Sequence, residues 1–334
     1  MNIFKIIKDG KRKYIKFCGI KICLERSDKY TNMEIRNEKM FNFLMCDKMD
    51  IATKRRIIEQ LFARHGNKYF PNIENPRTFN EKIQWLNLYY HDPLITKCVD
   101  KVTFKDYLHE MVGDEYTVPT IGVYNDASEI DFQKLPDEYV LKSNWGGDSS
   151  QVFIKTKENK SKEDNIKRLA NSWLHPLKNL YNYAFCWGYK DIKPKLCIEE
   201  LLKPDDGVLL DYKFLCFNGE PKYAFVVYDR RTNMALDFFD MEWNKLDFTR
   251  QYKNSKITAS KPKNFEKMKE ISRILSKPFP FVRVDFYEVN GKLYVGELTF
   301  SPGGGFEPFK PVEWDYKMGS YLDLPEKMLD SRDF

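Results

Sequence analysis

Two carboxylates, Asp285 and Glu297, stand in apolar, strand-like patterns within the stretch FVRVDFYEVNGKLYVGELTFSPGGG, residues 281–305. An unpaired buried charge is costly, so acids at such positions usually have a cation as partner. A simpler explanation for an isolated pair is that one or both acids point to solvent from an alternating strand. The choice between a bound cation and a solvated surface depends on the rest of the chain.

Three further segments carry residues that suit nucleotide chemistry. VLKSNWGGDSSQVFI ends a strand at Lys142 and continues into adjacent glycines, whose N–H groups can close over phosphates while the lysine supplies a countercharge. KPKLCIEELLKPDDG turns acidic at its strand end, and such a segment can bind an adenine edge through its backbone and a ribose through an acid. DYKFLCFNGEPKYAFVVYDRR predicts a hairpin around Asn218-Gly219 that carries Lys213.

Each of these segments also has an ordinary structural explanation when it is taken alone. A Gly-Gly turn between hairpin strands is commoner than a phosphate lid, and an acidic strand end is at least as often part of an amphipathic edge strand. The glycine loop is not a P-loop, because the GxxxxGK[ST] pattern and its following helix are missing.

The elements that must position these residues change character along the chain. Apolar residues at helical spacing predict helices over 34–65, from the capping box of Thr78 and Glu81, and from Asp100 to just before Gly113. Beyond about residue 115 the pattern predicts strands near 139–142, 152–155, 195–202, 211–217 and 222–228, then the hairpin of 281–305, with helical intervals near 163–180 and 263–276. This mixture favours an α+β fold over a doubly wound parallel sheet.

The composition is that of an ordinary globular protein with room for two or three packed units. Of 334 residues, 42% are hydrophobic and 31% are charged, and no apolar run approaches the roughly 18 residues of a membrane span. Seven cysteines without a CxxC pair favour neither a disulfide framework nor a zinc site. The N-terminus lacks the apolar core of a signal peptide, so we expect a cytoplasmic protein with reduced thiols.

The net charge of +6 is unevenly placed, because residues 1–22 carry seven Lys or Arg against one Asp. An apolar face begins at Ile3 and Phe4 in the same segment. Such a segment can lie on an anionic membrane surface, where each basic residue contributes about 1 kcal/mol. A basic, solvated hairpin or arm is an equally good explanation. Nucleic acid is a weaker alternative, since no recognisable nucleic-acid module accompanies the charges.

Taken in order, the segments resemble the ATP-grasp superfamily, and closely its TupA-like branch, named for a teichuronopeptide-biosynthesis protein. The resemblance is carried by five stretches within about residues 75–310: NPRTFNEKIQWLNLYYHDPLITKCVDK, LPDEYVLKSNWGGDSS, IEELL, DYKFLCFNGEPKY and VRVDFYEVNGKLYVGELTFSPGGG. The first 25 residues, ending in CGIKICLE, look like the N-terminal segment of many bacterial capsule and glycan enzymes.

The fold implied by the resemblance is α+β, with two subdomains that clamp ATP after a helical N-terminal region. It divides the chain into a basic segment at 1–30, a helical region at 31–115, a small subdomain with phosphate loop and adenine hinge at 116–207, and a large subdomain with a magnesium site at 208–334.

The resemblance also implies a nucleotide site. Lys101 and Lys142 match the two lysines that hold the phosphates of ATP. The loop over the phosphates is matched by Gly146, Gly147, Ser149 and Ser150. The adenine hinge is matched by Glu199, Glu200, Leu201 and Leu202, and Asp206 is the nearest candidate for the ribose acid.

For the reacting end of the nucleotide, Asp285 and Glu297 match the magnesium-binding carboxylates, and Arg283 and Lys213 would face the transferred phosphate or the acyl group as catalytic residues. Mg²⁺ suits hard oxygen ligands and needs only one or two carboxylates besides nucleotide phosphates. Two positions depart from the family pattern. Thr299 stands where many members have a metal-binding Asn, although its hydroxyl can still bind magnesium, and Trp145 stands in the phosphate loop where a His is expected.

A shared metal site makes a geometric demand on the hairpin of 281–305. A plain two-residue turn at Asn290-Gly291 would pair Asp285 with Gly296 and put Glu297 on the opposite face. Both carboxylates share a face only if the loop has odd length, most simply Val289-Asn290-Gly291, or if a β-bulge compensates.

The reaction implied by the resemblance is carboxylate activation, in which ATP forms an acyl phosphate that an amine attacks. The branch name and the N-terminal pattern suggest a uronic acid of a capsular or other surface polysaccharide, or of its precursor, as the carboxylate. A glycosyltransferase of the capsule pathway is the alternative, although its acidic motif would have to come from Asp205-Asp206 or from residues 237–240. A non-catalytic scaffold is disfavoured by the intact Lys142, Asp285 and Glu297. The four histidines are expected at structural or surface positions.

Overall fold

The computed structural model describes residues 5–9, 12–17, 20–23, 46–147, 149–205, 207, 209–228 and 234–329. Near the N-terminus, β1 (Lys5–Asp9), β2 (Arg12–Phe17) and β3 (Ile20–Cys23) form an antiparallel meander. The basic segment therefore has the backbone of a hairpin with one further strand. The part of the predicted first helix that covers residues 34–45 lies outside the described residues.

Helices dominate between residues 51 and 112. They are α1 (Ile51–Arg64), α2 (Phe79–Tyr89), α3 (Pro93–Val99) and α4 (Phe104–Val112). The capping box predicted for α2 is present, since the Thr78 hydroxyl accepts from the Glu81 N–H at 3.2 Å and the Glu81 carboxylate accepts from the Thr78 N–H at 2.9 Å. None of the helices in the described part of the chain is both long and apolar enough to cross a membrane.

The prediction of a helix that begins at Asp100 is wrong. Asp100 is instead the C-cap of α3, and its carboxylate accepts from the Val102 N–H at 2.8 Å. The Phe104 N–H donates to the Asp100 carbonyl at 2.9 Å, so residues 101–103 form a turn ahead of α4, which begins at Phe104. Lys101 consequently lies in a turn between two helices and not on a helical face.

The small sheet contains β4 (Thr120–Tyr124), β5 (Tyr139–Ser143), β6 (Val152–Lys155) and β7 (Leu196–Glu200), in the order β4-β7-β5-β6. All of its pairings are antiparallel. Helix α5 (Glu163–Trp173) packs against one face through Ile166, Ala170 and Trp173. The helical interval predicted for 163–180 ends at Trp173, because Pro176 disfavours helical backbone at His175, and only the short α6 (Tyr181–Ala184) follows.

The large sheet contains β8 (Asp211–Phe217), β9 (Glu220–Tyr228), β10 (Ala235–Phe239), β11 (Lys245–Leu246), β13 (Phe281–Val289) and β14 (Lys292–Thr299). These six strands are antiparallel and lie in the order β11-β10-β9-β8-β13-β14. Two antiparallel sheets covered by helices confirm the α+β class.

Alternation along the central strands gives the large sheet two different faces. Phe214, Val284 and Phe286 pack with Met268 and other apolar residues of α7 (Phe265–Ser276) in the main core. Residues at the intervening positions of β8 and β13 point to the other face, where the charged residues of the candidate site lie. At one end this second face is closed by α2, whose Phe79 contacts Phe281 with ring centroids 4.9 Å apart.

The C-terminal elements pack against α2 and form hydrogen bonds with its first residues. β12 (Thr249–Arg250) pairs with β15 (Phe309–Lys310), and α8 (Glu313–Ser320) follows. The buried Asp315 carboxylate of α8 accepts from the Asn80 N–H at 3.0 Å and from the Tyr69 hydroxyl at 2.7 Å. Gly319 lies directly against the backbone at the start of α2, where a Cβ would come within 2.7 Å of the Phe79 nitrogen.

We expect Gly319→Ala to lower the free energy of unfolding by about 1–3 kcal/mol, because the added methyl group meets backbone that cannot move aside. Ser320→Ala, at the exposed neighbouring position, is the matched control and should change stability by less than about 0.5 kcal/mol. Urea denaturation of the three proteins measures both values. Equal stability of the two variants would contradict close packing of α8 on α2.

Candidate functional site

Lys213, Asp285 and Glu297 lie side by side on three adjacent strands of the large sheet. Asp285 on β13 is opposite Lys213 on β8 and opposite Glu297 on β14. Residues two positions apart in a strand share a face, so Arg283 and Thr299 belong to the same surface. The structure thus brings together five residues that the sequence assigned to the metal and the transferred phosphate.

The hairpin reaches this arrangement through a β-bulge. Its turn has two residues, Asn290 and Gly291, with φ of 52° and 81°. Val295 then pairs with Phe286 while Glu297 pairs with Asp285, which leaves Gly296 as the extra residue. The compensating bulge is therefore the arrangement that occurs, and the three-residue loop is not.

Ion pairs connect the carboxylates to three cations. The Arg283 guanidinium binds both oxygens of Asp285, with Nε–Oδ1 and Nη2–Oδ2 distances of 2.6 Å, and its Nη2 lies 3.0 Å from Glu297 Oε1. The Lys213 amine also pairs with Asp285, and it lies 3.2 Å from the Asp211 carboxylate. Lys101 contributes the third cation, 3.1 Å from Glu297 Oε2. The result is a charged cluster in which every acid has a basic neighbour.

Burial and neighbouring charge act in opposite directions on these acids. The Asp285 side chain is only 1% exposed, and this burial raises its pKa although Arg283 and Lys213 oppose the shift. The Glu297 side chain is 31% exposed. Burial disfavours its ionisation, but Lys101, Lys213 and Arg283 outweigh that cost and hold the pKa of Glu297 well below its usual range.

The donor set at this surface suits magnesium. Asp285 and Glu297 offer carboxylate oxygens on one face, and the Thr299 hydroxyl lies 3.4 Å from Glu297 Oε1. Within the described residues no group of three or more His, Cys, Asp or Glu is arranged to hold a metal by itself. A magnesium ion that takes its remaining ligands from phosphates and water needs no such group, so the residues fit this ion.

On the small sheet, Lys142 and Glu199 form a second charged group. Lys142 Nζ lies 2.5 Å from Glu199 Oε2, and Lys105 Nζ lies 2.6 Å from the other carboxylate oxygen. Burial would raise the pKa of Glu199, but Lys142 and Lys105 outweigh it and lower that pKa. Burial likewise opposes the charge of Lys142, yet Glu199 raises the pKa of that amine. The sequence assigned Glu199 to the adenine hinge, whereas its carboxylate binds two lysines here.

Lys101 links the two sheets. Besides its contact with Glu297, its amine donates to the Gly146 carbonyl at 2.6 Å, so a residue between α3 and α4 holds both the phosphate loop and β14. Trp145, at the position where a His was expected, is buried and donates its indole N–H to the Trp173 carbonyl at 3.0 Å. The start of the phosphate loop is therefore fastened to α5.

The remaining predicted nucleotide residues that the structure describes lie between β5 and β6 or at the end of β7. Gly147 is exposed, and Ser149 and Ser150 begin a short 3₁₀ turn. Glu200 is the exposed last residue of β7, and Leu201 and Leu202 follow the strand. Asp206 lies outside the described residues.

Sequence reasoning missed Lys105 and Tyr189. Lys105 could have been noticed from its spacing of four residues after Lys101, just inside a predicted helix. Tyr189 has no comparable signal, since it belongs to a 3₁₀ turn between α6 and β7. Burial raises the pKa of its phenol, and the nearby Glu297 carboxylate adds to this shift.

The histidines take structural or surface positions, as predicted. His65 and His91 stack on Phe306 and Trp187, with ring centroids 5.4 Å and 4.8 Å apart. His109 is exposed and lies 2.8 Å from the Asp114 carboxylate. Cys46, Cys98, Cys186, Cys197 and Cys216 are buried free thiols.

We expect Glu199→Gln to lower the free energy of unfolding by about 3 kcal/mol at pH 7, because it leaves two buried ammonium groups without a carboxylate. The pKa of Glu199 is lowered on folding, so its contribution is present above the ordinary value of 4.5 and is lost as pH falls through the lower folded value. Urea denaturation at pH 7 and near pH 4 should show the difference between wild type and variant shrinking at acid pH. Glu200→Gln is the exposed control next to it and should be nearly neutral.

No curated protein matches the chain. Similar solved structures include D-alanine–D-alanine ligase from Bacillus anthracis (19% identity, TM-score 0.40, 66% of this chain and 64% of that one), and the ATP-grasp ligase PsnB with a precursor variant, Mg and ADP (13%, 0.40, 70% and 60%). Another is the ADP complex of N5-carboxyaminoimidazole ribonucleotide synthetase (16%, 0.40, 65% and 49%). The chain thus spans less than two thirds of the length of each of these three proteins.

A family model described as TupA-like ATPgrasp matches residues 81–323. The matched range contains Lys101, Lys142, Glu199, Asp285 and Glu297, the residues that form the two charged groups. Since the match covers well over half of the chain, this protein belongs to the TupA-like ATP-grasp family.

Proposed function

We propose that this chain is an ATP- and magnesium-dependent carboxylate–amine ligase that works through an acyl phosphate. The observation that carries the proposal is the row of Lys213, Asp285 and Glu297, with Arg283 and Lys101 beside it. Phosphoryl transfer is accelerated mainly by positioning and by neutralisation of phosphate charge. A surface that combines acids for a metal with fixed cations for a phosphoryl group supplies both.

In this proposal ATP binds between the two sheets. The phosphates are held by Lys101 and Lys142 and covered by the loop of Gly146, Gly147, Ser149 and Ser150. The adenine lies along Glu199 to Leu202, and Asp206 binds the ribose. The proposed boundary between the two clamping subdomains falls in the sequence between residues 207 and 208.

Asp285, Glu297 and Thr299 would hold magnesium, which neutralises phosphate charge when it is bound. Arg283 would keep its bidentate contact with Asp285. Its Nη2, which lies 3.0 Å from Glu297, would remain at the surface where phosphate charge develops. Lys213 is tied to Asp211 and Asp285, and it supplies a fixed positive charge below the reacting group. Both cations therefore act as electrostatic catalysts that need not reorganise during the reaction.

For the carboxylate substrate we propose a uronic acid of a capsular or other surface polysaccharide, or of its precursor. The support is the family description, which names TupA, and the N-terminal sequence pattern shared with capsule and glycan enzymes. A screen of uronic acids, UDP-uronic acids and small amines, with ADP release as the readout, identifies the substrate pair.

Three of the acids that a glycosyltransferase would need, Asp205, Asp237 and Asp240, lie within the described residues and bind other groups of the protein. Asp237 is fully buried, lies 2.8 Å from Lys245 Nζ and accepts from the Ser255 N–H at 3.0 Å. Asp240 accepts from the Glu242 and Asn244 N–H groups at 3.0 Å and 2.8 Å and so closes a turn. Asp205 receives a bond from the Asn290 amide at 3.0 Å. These positions favour the ligase over sugar transfer.

The ligase should convert ATP to ADP only when an acid substrate is present, and added hydroxylamine should trap the acyl phosphate as a hydroxamate. Asp285→Asn and Glu297→Gln remove charge with little change of shape, and each should lower turnover by about 10²–10³. Lys142→Ala should also weaken nucleotide binding. Glu220→Gln, an exposed acid on β9 away from the cluster, is the control and should retain activity.

Two outcomes would overturn the proposal. One is sugar transfer from a sugar nucleotide without any need for ATP. The other is full activity of Asp285→Asn in a protein whose ATP turnover is otherwise robust.

We further propose that the basic N-terminal segment holds the enzyme at an anionic membrane surface from the cytoplasmic side. Removing residues 1–25 should leave a folded, nucleotide-binding protein that sediments less with anionic liposomes, most visibly at low salt. Liposomes of neutral lipid provide the control. Equal sedimentation of the full chain and the truncated chain would assign the segment to a structural arm.

A further inference from the structure

Glu199 is a buried carboxylate held between two lysines, and the proposed function requires one of the two to leave. The side chain is 5% exposed, with Lys142 and Lys105 on its two oxygens. Within the described part of the chain, the ion pairs of Lys142 go to Glu199 alone. When Lys142 turns to the phosphates of ATP, the carboxylate loses that partner.

Lys105 is fixed in place by further bonds. Its amine donates to the Val118 carbonyl at 2.8 Å and to the Thr120 hydroxyl at 2.5 Å. Thr120 on β4 is itself the cross-strand partner of Glu199 on β7. Phe104, Tyr107 and Leu108 anchor α4 in the core on either side of this lysine. Lys105 therefore stays with Glu199 when Lys142 moves.

The energetic consequence follows from burial. Leaving a buried carboxylate without a cation costs several kcal/mol, and this cost would be subtracted from the binding energy of ATP. A second lysine on the other oxygen removes the penalty, so that Lys142 can exchange its carboxylate partner for a phosphate.

From this arrangement we infer that Lys105 is a positioning residue for nucleotide binding: it is the resident counter-ion that keeps Glu199 ionised and in place while Lys142 binds phosphate. Lys101 and Lys105, four residues apart, then have separate tasks. Lys101 acts at the phosphate loop and β14, and Lys105 acts at the hinge. The inference rests on the proposed function, because it presumes that ATP binds at this site.

The experiment measures the affinity of ATP with magnesium chloride by isothermal titration calorimetry at pH 7, without any acceptor substrate. Lys105→Gln keeps hydrogen-bonding capacity but removes the charge, and it should weaken ATP binding by about tenfold or more. Lys105→Arg keeps the charge and should bind within about threefold of wild type. The double variant Lys105→Gln/Glu199→Gln has no stranded carboxylate and should bind ATP more tightly than Lys105→Gln alone.

Each other result decides against the inference or against its premise. Wild-type affinity in Lys105→Gln overturns the inference. The inference is also overturned if the double variant binds ATP no more tightly than Lys105→Gln, or if Lys105→Arg binds ATP as weakly as Lys105→Gln. Either result would show that the loss of affinity comes from altered packing. If Lys105→Gln does not fold, as judged by thermal melting, the inference is tested instead by comparing the ATP affinities of Lys105→Arg and of the double variant with that of wild type. A wild-type chain that does not bind ATP rejects the proposed function itself, which is a distinct outcome.

Discussion

A charged carboxylate is costly to take out of water unless a cation or hydrogen-bond donors accompany it, and the Asp285 side chain is 1% exposed in the large sheet. This requirement places Arg283 and Lys213 beside it. Lys213 also pairs with Asp211, and Arg283 also pairs with Glu297. Glu297 in turn pairs with Lys101. Because Lys101 also donates to the Gly146 carbonyl, a series of paired charges connects Asp285 on the large sheet with the loop that follows β5 of the small sheet. The relative placement of the two sheets depends on this series as well as on apolar packing.

Because these side chains are already paired, they would exchange partners when a nucleotide binds, and no further charge of the protein would become buried. Lys101 and Lys142 already face carboxylates, and Glu297 already faces cations. In the proposed function a triphosphate would replace the carboxylates as partner of the lysines, and a divalent metal would replace a lysine as partner of Glu297. Since the groups are desolvated before the ligand arrives, most of the desolvation cost belongs to folding, which leaves more of the contact energy for binding.

How far sequence reasoning reached can be followed at particular residues. Alternation in residues 281–299 predicted both strands of the hairpin, and the Thr78–Glu81 spacing predicted the start of α2, because both patterns are local. The family resemblance, and not alternation, supplied the roles of Lys101 and Lys142. The pairing of Lys105 with Glu199 joins residues 94 positions apart, and no local pattern reports such a contact. The helix predicted to begin at Asp100 begins at Phe104, after a turn over residues 101–103 that the periodic pattern did not distinguish from helix.

The bulge at Gly296 has a consequence for how this hairpin tolerates changes in chain length. A strand without that residue would pair Phe286 with Val295 and Asp285 with Glu297 in one unbroken register, with the two-residue turn unchanged. The strand can therefore lose one residue at this position while both acids keep their face. An insertion on the far side of Glu297 would have no such freedom, because β14 ends at Thr299 and the buried Pro302 segment follows. Variation in length is accordingly confined to the turn side of Glu297.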